Sequence, residues 1–304
     1  TSLNPIASKE IAAELASHGI QMLDAPVSGG EPKAIDGTLS FMVGGEEEVF
    51  NTFKPVLLAM GSSAVLCGGI GTLFHLAVEW VTEQRTEHVW LLWLLPAAGI
   101  AITALYKATG CVGKGTNDVL RAVQDGSSVT PWLVPAIFLG TVLTHLCGGS
   151  AGREGAAIQL GGAISGNIGH LMHLDDKDSR TITMCGMAAG FAALFGTPLA
   201  ASVFAMEVVS VGVMYYAALL PCVLASVIAQ RFSIFLGGEA TAFAVSGIPQ
   251  EADALLIAKL LLFGAACAGL AALVCIVFHN VGHLFKKWFP NRYVCIAAGG
   301  AAVV

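Results

Sequence analysis

The sequence predicts a mainly α-helical membrane protein preceded by a partial α/β segment. Hydrophobic residues make up 55% of the 304 residues and charged residues 12%, and the mean hydropathy is +0.74. This is too apolar for a domain with a fully wetted surface. Near residue 71, short alternating runs give way to long apolar ones. We therefore divide the chain into residues 1–71 and 72–304. The net charge of −6 argues against nucleic acid as a partner.

The first segment alternates between short helical and strand-like runs, which is typical of a soluble α/β domain. Helices are predicted from the amphipathic pattern at Ala7–His18 and from the sequence at Glu46–Met60. Strands are predicted at Ile20–Leu23, Thr38–Val43 and Ala64–Cys67.

A glycine-containing motif follows the first predicted strand: Leu-Asp-Ala-Pro-Val-Ser-Gly-Gly at 23–30, with Gly-Thr-Leu-Ser-Phe-Met-Val-Gly-Gly at 37–45. On these motifs, residues 1–71 resemble a Rossmann-like slice of the β-hydroxyacid dehydrogenases, the family of 3-hydroxyisobutyrate dehydrogenase and tartronate semialdehyde reductase. The resemblance implies that Ser28, Gly29 and Gly30 correspond to residues that hold a substrate carboxylate. The spacing alone fits a tight strand-to-helix turn equally well.

Two requirements of that enzyme family are missing from the sequence. No GxGxxG turn opens a βαβ unit, and Thr72-Leu73-Phe74-His75-Leu76 stands where the resemblance implies a helix with a catalytic lysine. We expect no bound nicotinamide or other cofactor and no enzyme activity. The alternative is a membrane-tethered dehydrogenase remnant whose cofactor loop and lysine come from a partner chain.

From about Thr72 onward the sequence predicts a series of hydrophobic helices. Several are shorter than the roughly 20 residues that cross a bilayer straight, which is typical of helices that stop halfway to build a site. The predicted spans are Leu73–Val81, Val89–Tyr106, Trp132–Cys147, Gly155–Met172, Ile182–Phe195, Leu199–Val211, Met214–Phe235, Leu255–Phe278 and Val294–Val304.

The stretch Gly-Gly-Ser-Ala-Gly-Arg-Glu-Gly-Ala at 148–156 places Arg153 and Glu154 inside apolar, glycine-rich sequence. A charge at bilayer depth costs roughly 2.5–3.5 kcal/mol, so such residues mostly line an ion path or pair inside the bundle. The glycines allow a helix to restart there with unpaired N–H groups, and a helix N-terminus attracts anions. The residues themselves leave two interpretations open, an anion site and a structural Arg153–Glu154 ion pair.

Two further motifs stand in order with this one: Gly-Phe-Ala-Ala-Leu-Phe-Gly-Thr-Pro-Leu-Ala at 190–200, leading to Phe-Ala-Met-Glu at 204–207, and Gly-Lys-Gly-Thr-Asn at 113–117. Together they resemble the N-terminal half of the CLC chloride channel and transporter family over about residues 72–304. The resemblance implies a first inverted repeat with broken helices, a small anion as substrate, most simply chloride or else fluoride, and a multi-pass protein of a bacterial plasma membrane, dimeric at full length.

The resemblance also assigns roles to residues. Glu154 takes the position of a gating glutamate whose carboxylate occupies the anion site and swings away or takes a proton. The positions that correspond to anion-binding residues are Gly113, Lys114, Gly115, Gly152, Arg153 and Gly155. Lys114 replaces the family's serine, and a long ammonium is a different donor from a compact hydroxyl.

Glu207 matches a glutamate in the helix after Pro198, whereas Val208 stands where proton-coupled relatives usually carry a second glutamate. This departure favours a passive channel or a branch, such as the fluoride exporters, with another proton path. Glu207 is either a substitute proton donor or a helix carboxylate bonded to neighbouring groups.

The eight cysteines show no CxxC or His-Cys ligand spacing, so we expect helix-packing residues and no metal. The sequence starts without methionine and stops in an apolar run, which suggests a piece of something longer in which a transport pathway is incomplete. We accordingly expect the 304-residue chain by itself to move no anions selectively.

Overall fold

The computed structural model describes residues 5–23, 27–28, 40–41, 44, 46–127, 129–210, 214–239 and 254–304, and these are mainly helical. Short 3₁₀ turns at Val89–Leu94 and Tyr216–Ala218 directly precede the helices that begin at Leu95 and Leu219. The helices and strands are α1 Pro5–Ser17, β1 Val27–Ser28, β2 Ser40–Phe41, α2 Glu47–Glu87, α3 Leu95–Ala108, α4 Thr116–Asp125, α5 Leu133–Leu146, α6 Arg153–Leu171, α7 Asp176–Phe195, α8 Pro198–Glu207, α9 Leu219–Phe235, α10 Ala254–Trp288 and α11 Arg292–Val303.

The described residues among the first 45 do not show the predicted Rossmann-like segment. Helix α1 lies at the predicted Ala7–His18, but Ile20–Leu23 is not a strand. Within the described residues, β1 and β2 form a two-residue antiparallel pair, Val27 with Phe41 and Ser28 with Ser40. In the described part of the chain no further strand extends this pair. Ser28 ends β1, whereas Gly29 and Gly30 lie outside the described residues.

Helix α2 is a single helix of 41 residues that runs through the predicted boundary at residue 71. The predicted strand at Ala64–Cys67 is therefore wrong, and the predicted short span Leu73–Val81 is the second half of a longer helix. Packing explains the difference. A methyl group on Gly68 would lie 2.9 Å from the Ala229 carbonyl oxygen of α9, so the two helices touch through this glycine. Such contact stabilises a helix across residues with strand propensity.

Helices α6 and α7 form the centre of the bundle through glycine-mediated packing. A methyl group on Gly161 would lie 2.0 Å from the Gly186 carbonyl oxygen, and one on Gly190 would lie 2.7 Å from the Ala157 carbonyl oxygen. Small residues let helix backbones approach this closely in apolar surroundings. The core around this crossing also contains fully buried Phe74, Leu133, Met187, Leu194 and Met206.

Four helical stretches are long and apolar enough to cross a membrane among the residues that the structure describes: Glu47–Glu87, Val89–Ala108, Tyr216–Phe235 and Ala254–Phe285. The shorter apolar helices are α5, α8 and α11. Helix α11 packs on α3, with Gly300 against Pro96. The apolar window of α10 is fully exposed, as expected of a surface that faces lipid or other membrane helices. The membrane prediction thus agrees with the helix lengths.

Candidate functional site

The first turns of α4 and α6 meet at Thr116 and Gly155. A methyl group on Gly155 would lie 3.7 Å from Oγ1 of Thr116 and 3.8 Å from Nε2 of Gln159. Gln159 Nε2 donates a hydrogen bond of 2.8 Å to Thr116 Oγ1. Both side chains are half-buried. Two glycine-rich segments far apart in sequence are thereby joined into one polar site.

The start of α6 exposes unpaired backbone donors. Gly152 is the N-cap residue, with extended backbone (φ −70°, ψ 132°) and no capping side chain. The amides of residues 153–155 have no hydrogen-bond partner in the part of the chain that the structure describes. Since a helix N-terminus carries about half a positive elementary charge, these donors favour an anionic ligand. A carboxylate or a small anion fits this requirement.

The turn that leads into α6 depends on glycine. Gly148 has φ +77°, and a methyl group there would lie 2.1 Å from Cδ2 of Leu92. The left-handed backbone and the contact with the 3₁₀ turn before α3 both disfavour a larger residue. This close fit sets where the chain turns back toward Gly152 and α6.

Glu154 lies exposed in the first turn of α6, with its carboxylate folded toward the helix start. A methyl group on Gly152 would lie 3.1 Å from Oε2 of Glu154, so the absence of a side chain there leaves room for the carboxylate. Among the described residues no ion pair within 4 Å joins Glu154 to Arg153. Arg153 is half-buried and lines a cavity that does not include Glu154.

That cavity, of about 640 Å³, lies between the C-terminal part of α2, the end of α5 and the start of α6. Its charged and titratable lining consists of Glu79, Glu83, Arg85, His145 and Arg153. The Nδ1 atom of His145 lies 2.9 Å from the Thr141 carbonyl oxygen. A polar space large enough for water therefore adjoins the first residue of α6.

The start of α4 is capped by the carboxylate of Asp118, a residue of the same helix. Gly113 has φ +80°, and the Gly115 amide donates a 2.8 Å hydrogen bond to Oδ2 of Asp118. Lys114 is exposed, and its backbone amide donates to the Cys111 carbonyl oxygen. The amides of Thr116 and Asn117 have no partner within the described ranges. The compact donor at this end is thus the Thr116 hydroxyl rather than the Lys114 ammonium.

Glu207 ends α8, which packs mainly against α7 and α9. Its side chain is half-buried and interacts with another group, and Val208 is the C-cap residue. Of the residues singled out in the sequence, Gly115, Gly152, Arg153, Glu154 and Gly155 thus lie at the two helix starts, whereas Glu207 belongs to a different helix end.

Three site residues were missed in the sequence: Thr116, Asp118 and Gln159. Asp118 follows Gly115 at the spacing of a capping box, which was a usable signal. Gln159 follows Gly155 by four residues and therefore shares its helix face. The contact of Gln159 with Thr116 joins residues 43 positions apart, and no local pattern indicates it.

Comparisons with known proteins match two parts of the chain to two different families. The model of the voltage-gated chloride channel family matches residues 100–304, and the model of the NAD-binding domain of 6-phosphogluconate dehydrogenase matches residues 1–69. The mitochondrial 3-hydroxyisobutyrate dehydrogenase of Bos taurus is 47% identical over 72 residues, which cover 24% of this chain and 21% of that protein. Both predicted resemblances are confirmed.

A chloride/fluoride channel protein of Pseudomonas syringae pv. tomato is 42% identical over 177 residues, or 58% of this chain and 39% of that protein. The crystal structure of a CLC-type fluoride/proton antiporter matches with a TM-score of 0.77 at 35% identity, covering 83% of this chain and 64% of that one. The chain thus spans well under two thirds of the curated transport relatives it matches. Because the channel-family model covers more than half of the chain, this protein belongs to the voltage-gated chloride channel, or CLC, family.

Proposed function

We propose that the protein moves a small anion across a membrane along a path that passes the first turns of α4 and α6, with Glu154 as the gate. The observation that carries this proposal is the row of three unpaired amides at residues 153–155 beside the Glu154 carboxylate. The neighbouring Thr116 hydroxyl and the family to which the chain belongs also support the proposal.

The proposed gate works by competition between two negative groups. A carboxylate at a helix N-terminus and a bound anion satisfy the same backbone donors, so both cannot occupy them at once. When Glu154 moves away or takes a proton, the donors become available to the anion. Gly152 gives the carboxylate room to lie at the helix start, and the cavity beside Arg153 gives water access.

Chloride and fluoride are the anions that the relatives' names suggest, and we propose chloride with fluoride as the alternative. Proton-coupled exchange is a second candidate, because one structural neighbour is a fluoride/proton antiporter. Val208 carries no titratable group, so protons would use Glu154 itself or Glu207. As in other members of the family, we propose a homodimer embedded in a lipid bilayer.

The proposal is tested by chloride and fluoride efflux from liposomes that contain the purified chain. Because the chain spans 39% of its Pseudomonas syringae relative, the assay is run with the chain alone and with the remaining part of that relative supplied as a second polypeptide. We expect selective flux in the second arrangement. Absence of selective flux from both arrangements would overturn the proposal.

The gate itself is tested with Glu154→Gln, which mimics the protonated carboxylate. We expect flux that rises with acid in the unchanged chain and varies by less than about twofold between about pH 5 and 8 in the variant. Glu87→Gln, at the exposed end of α2, is the matched control and should keep the pH dependence. A steep rise with acid in Glu154→Gln would place the gate elsewhere.

A further inference from the structure

The Thr116 hydroxyl can donate one hydrogen bond. The hydrogen bond that it accepts from Gln159 restricts the directions in which its O–H can point. Gln159 Nε2 donates to Thr116 Oγ1 at 2.8 Å, which occupies a lone pair of the oxygen. A hydroxyl that accepts in this way keeps its own O–H for another acceptor. Throughout the described residues, Thr116 Oγ1 donates to no protein group.

The space around this hydroxyl is open because residue 155 is glycine. A side chain there would be in van der Waals contact with both Thr116 Oγ1 and Gln159 Nε2, at 3.7 and 3.8 Å from its first carbon. The same glycine lies in the first turn of α6, where the backbone amides have no partner within the described part of the chain. An acceptor that bound these amides would therefore lie beside the hydroxyl.

We propose that Thr116 is the side-chain donor that determines anion specificity and that Gln159 is a positioning residue that directs its O–H toward the anion. This rests on the proposed function, which supplies the anion. The role differs from the one that the resemblance implies for position 114, because the compact hydroxyl belongs to a residue two positions later, inside α4.

A directed hydroxyl favours the smaller halide. Fluoride is the smallest halide and the strongest hydrogen-bond acceptor among them, and a hydrogen bond to a charged acceptor is stronger than one between neutral groups. Loss of the hydroxyl should therefore reduce fluoride transport more than chloride transport. Loss of the Gln159 amide should have a smaller effect of the same sign, since the hydroxyl remains but rotates among several directions.

The experiment is a double-mutant cycle read as the ratio of fluoride to chloride flux, in whichever of the two liposome arrangements conducts. Thr116→Val removes the hydroxyl at nearly constant shape, Gln159→Met removes the amide, and the double variant combines them. Thr181→Val is the matched control, because the Thr181 hydroxyl donates to the Lys177 carbonyl oxygen of its own helix. Thr116→Ser should restore the ratio.

We expect Thr116→Val to lower fluoride flux by roughly tenfold or more and to lower the ratio. Gln159→Met should lower the ratio less, and should add little in the Thr116→Val background, because it acts through the hydroxyl. An unchanged ratio in Thr116→Val, or fully additive effects of the two substitutions, would overturn the inference.

The outcomes separate this inference from the proposed function. If the unchanged chain gives no selective flux in either arrangement, the proposed function and the inference fall together. If it conducts under the control of Glu154 while Thr116→Val behaves like Thr181→Val, the inference alone fails. If Thr116→Val does not purify as a single species, the test is made with Gln159→Met alone. A ratio of fluoride to chloride flux in Gln159→Met equal to that of the unchanged chain would then overturn the inference.

Discussion

The two helix starts that meet at Thr116 and Gly155 differ in how they satisfy their backbone amides. Helix α4 is capped internally, because the Gly115 amide donates to Asp118 Oδ2. Helix α6 has no capping side chain at Gly152 and leaves the amides of residues 153–155 without partners among the described residues. An N-cap side chain normally stabilises a protein by about 0.5–2 kcal/mol relative to alanine. Its absence at α6 leaves the first amides of this helix available to a ligand.

The largest expected effect comes from making α6 resemble α4. Gly152→Asp supplies a capping carboxylate at a residue whose extended backbone suits any N-cap side chain. The new carboxylate should occupy the α6 amides, so we expect anion flux to fall by about tenfold while the free energy of unfolding rises by about 0.3–1 kcal/mol. Liposome efflux and thermal unfolding measure the two effects.

Gly152→Ala is the control for crowding, because its methyl group also approaches Oε2 of Glu154, at 3.1 Å, but accepts no hydrogen bond. It should leave the flux unreduced. Equal flux from Gly152→Asp and Gly152→Ala would mean that the α6 amides do not bind the transported anion.

The two helix starts also differ in how far they could be predicted from the sequence. The α6 start was predicted because glycines around a charged pair have a local meaning, a restarted helix with open amides. The Thr116–Gln159 contact was not predicted, because it depends on how α4 and α6 are placed relative to each other. Asp118 was not predicted either, but its position three residues after Gly115 is a local signal that the sequence contains.

The strand predicted at Ala64–Cys67 is wrong because that prediction, too, did not include contacts between helices. This short apolar run fits a strand when it is considered with the dehydrogenase-like residues before it. In the structure it continues into apolar helix sequence, and Cys67 Sγ lies 3.6 Å from the Gly161 carbonyl oxygen of α6. Tertiary packing against a neighbouring helix overrides local strand propensity. The proposed division at residue 71 stays a prediction about the origin of the two segments, and α2 shows no interruption there.

An intermediate effect is expected from removing the charge that caps α4. Asp118→Asn keeps an oxygen acceptor for the Gly115 amide but removes a negative charge near the proposed anion. We expect flux to rise about two- to threefold at low salt, and the gain to vanish near 1 M salt, where the Debye length is about 3 Å. Efflux measured as a function of ionic strength checks this prediction.

Asp125→Asn, at the opposite end of α4, carries the same charge change and should have little effect. If both variants raise the flux equally, the gain reports the general surface potential. The comparison between the two helix starts would then lose its electrostatic basis, although the hydrogen bond from Gly115 to Asp118 would still distinguish them structurally.

The smallest effect is expected at Lys114, which the resemblance assigns to anion binding. Its side chain is exposed and lies just before the α4 start, whereas the Thr116 hydroxyl lies inside the first turn. An exposed ammonium contributes a weak, salt-screened attraction, so Lys114→Met should lower flux by less than about twofold, and less still at high salt. Lys107→Met, exposed in the last turn of α3, is the control for a lost positive charge. A tenfold loss in Lys114→Met alone would mean that the ammonium itself binds the anion, which would return the role of side-chain donor from Thr116 to position 114.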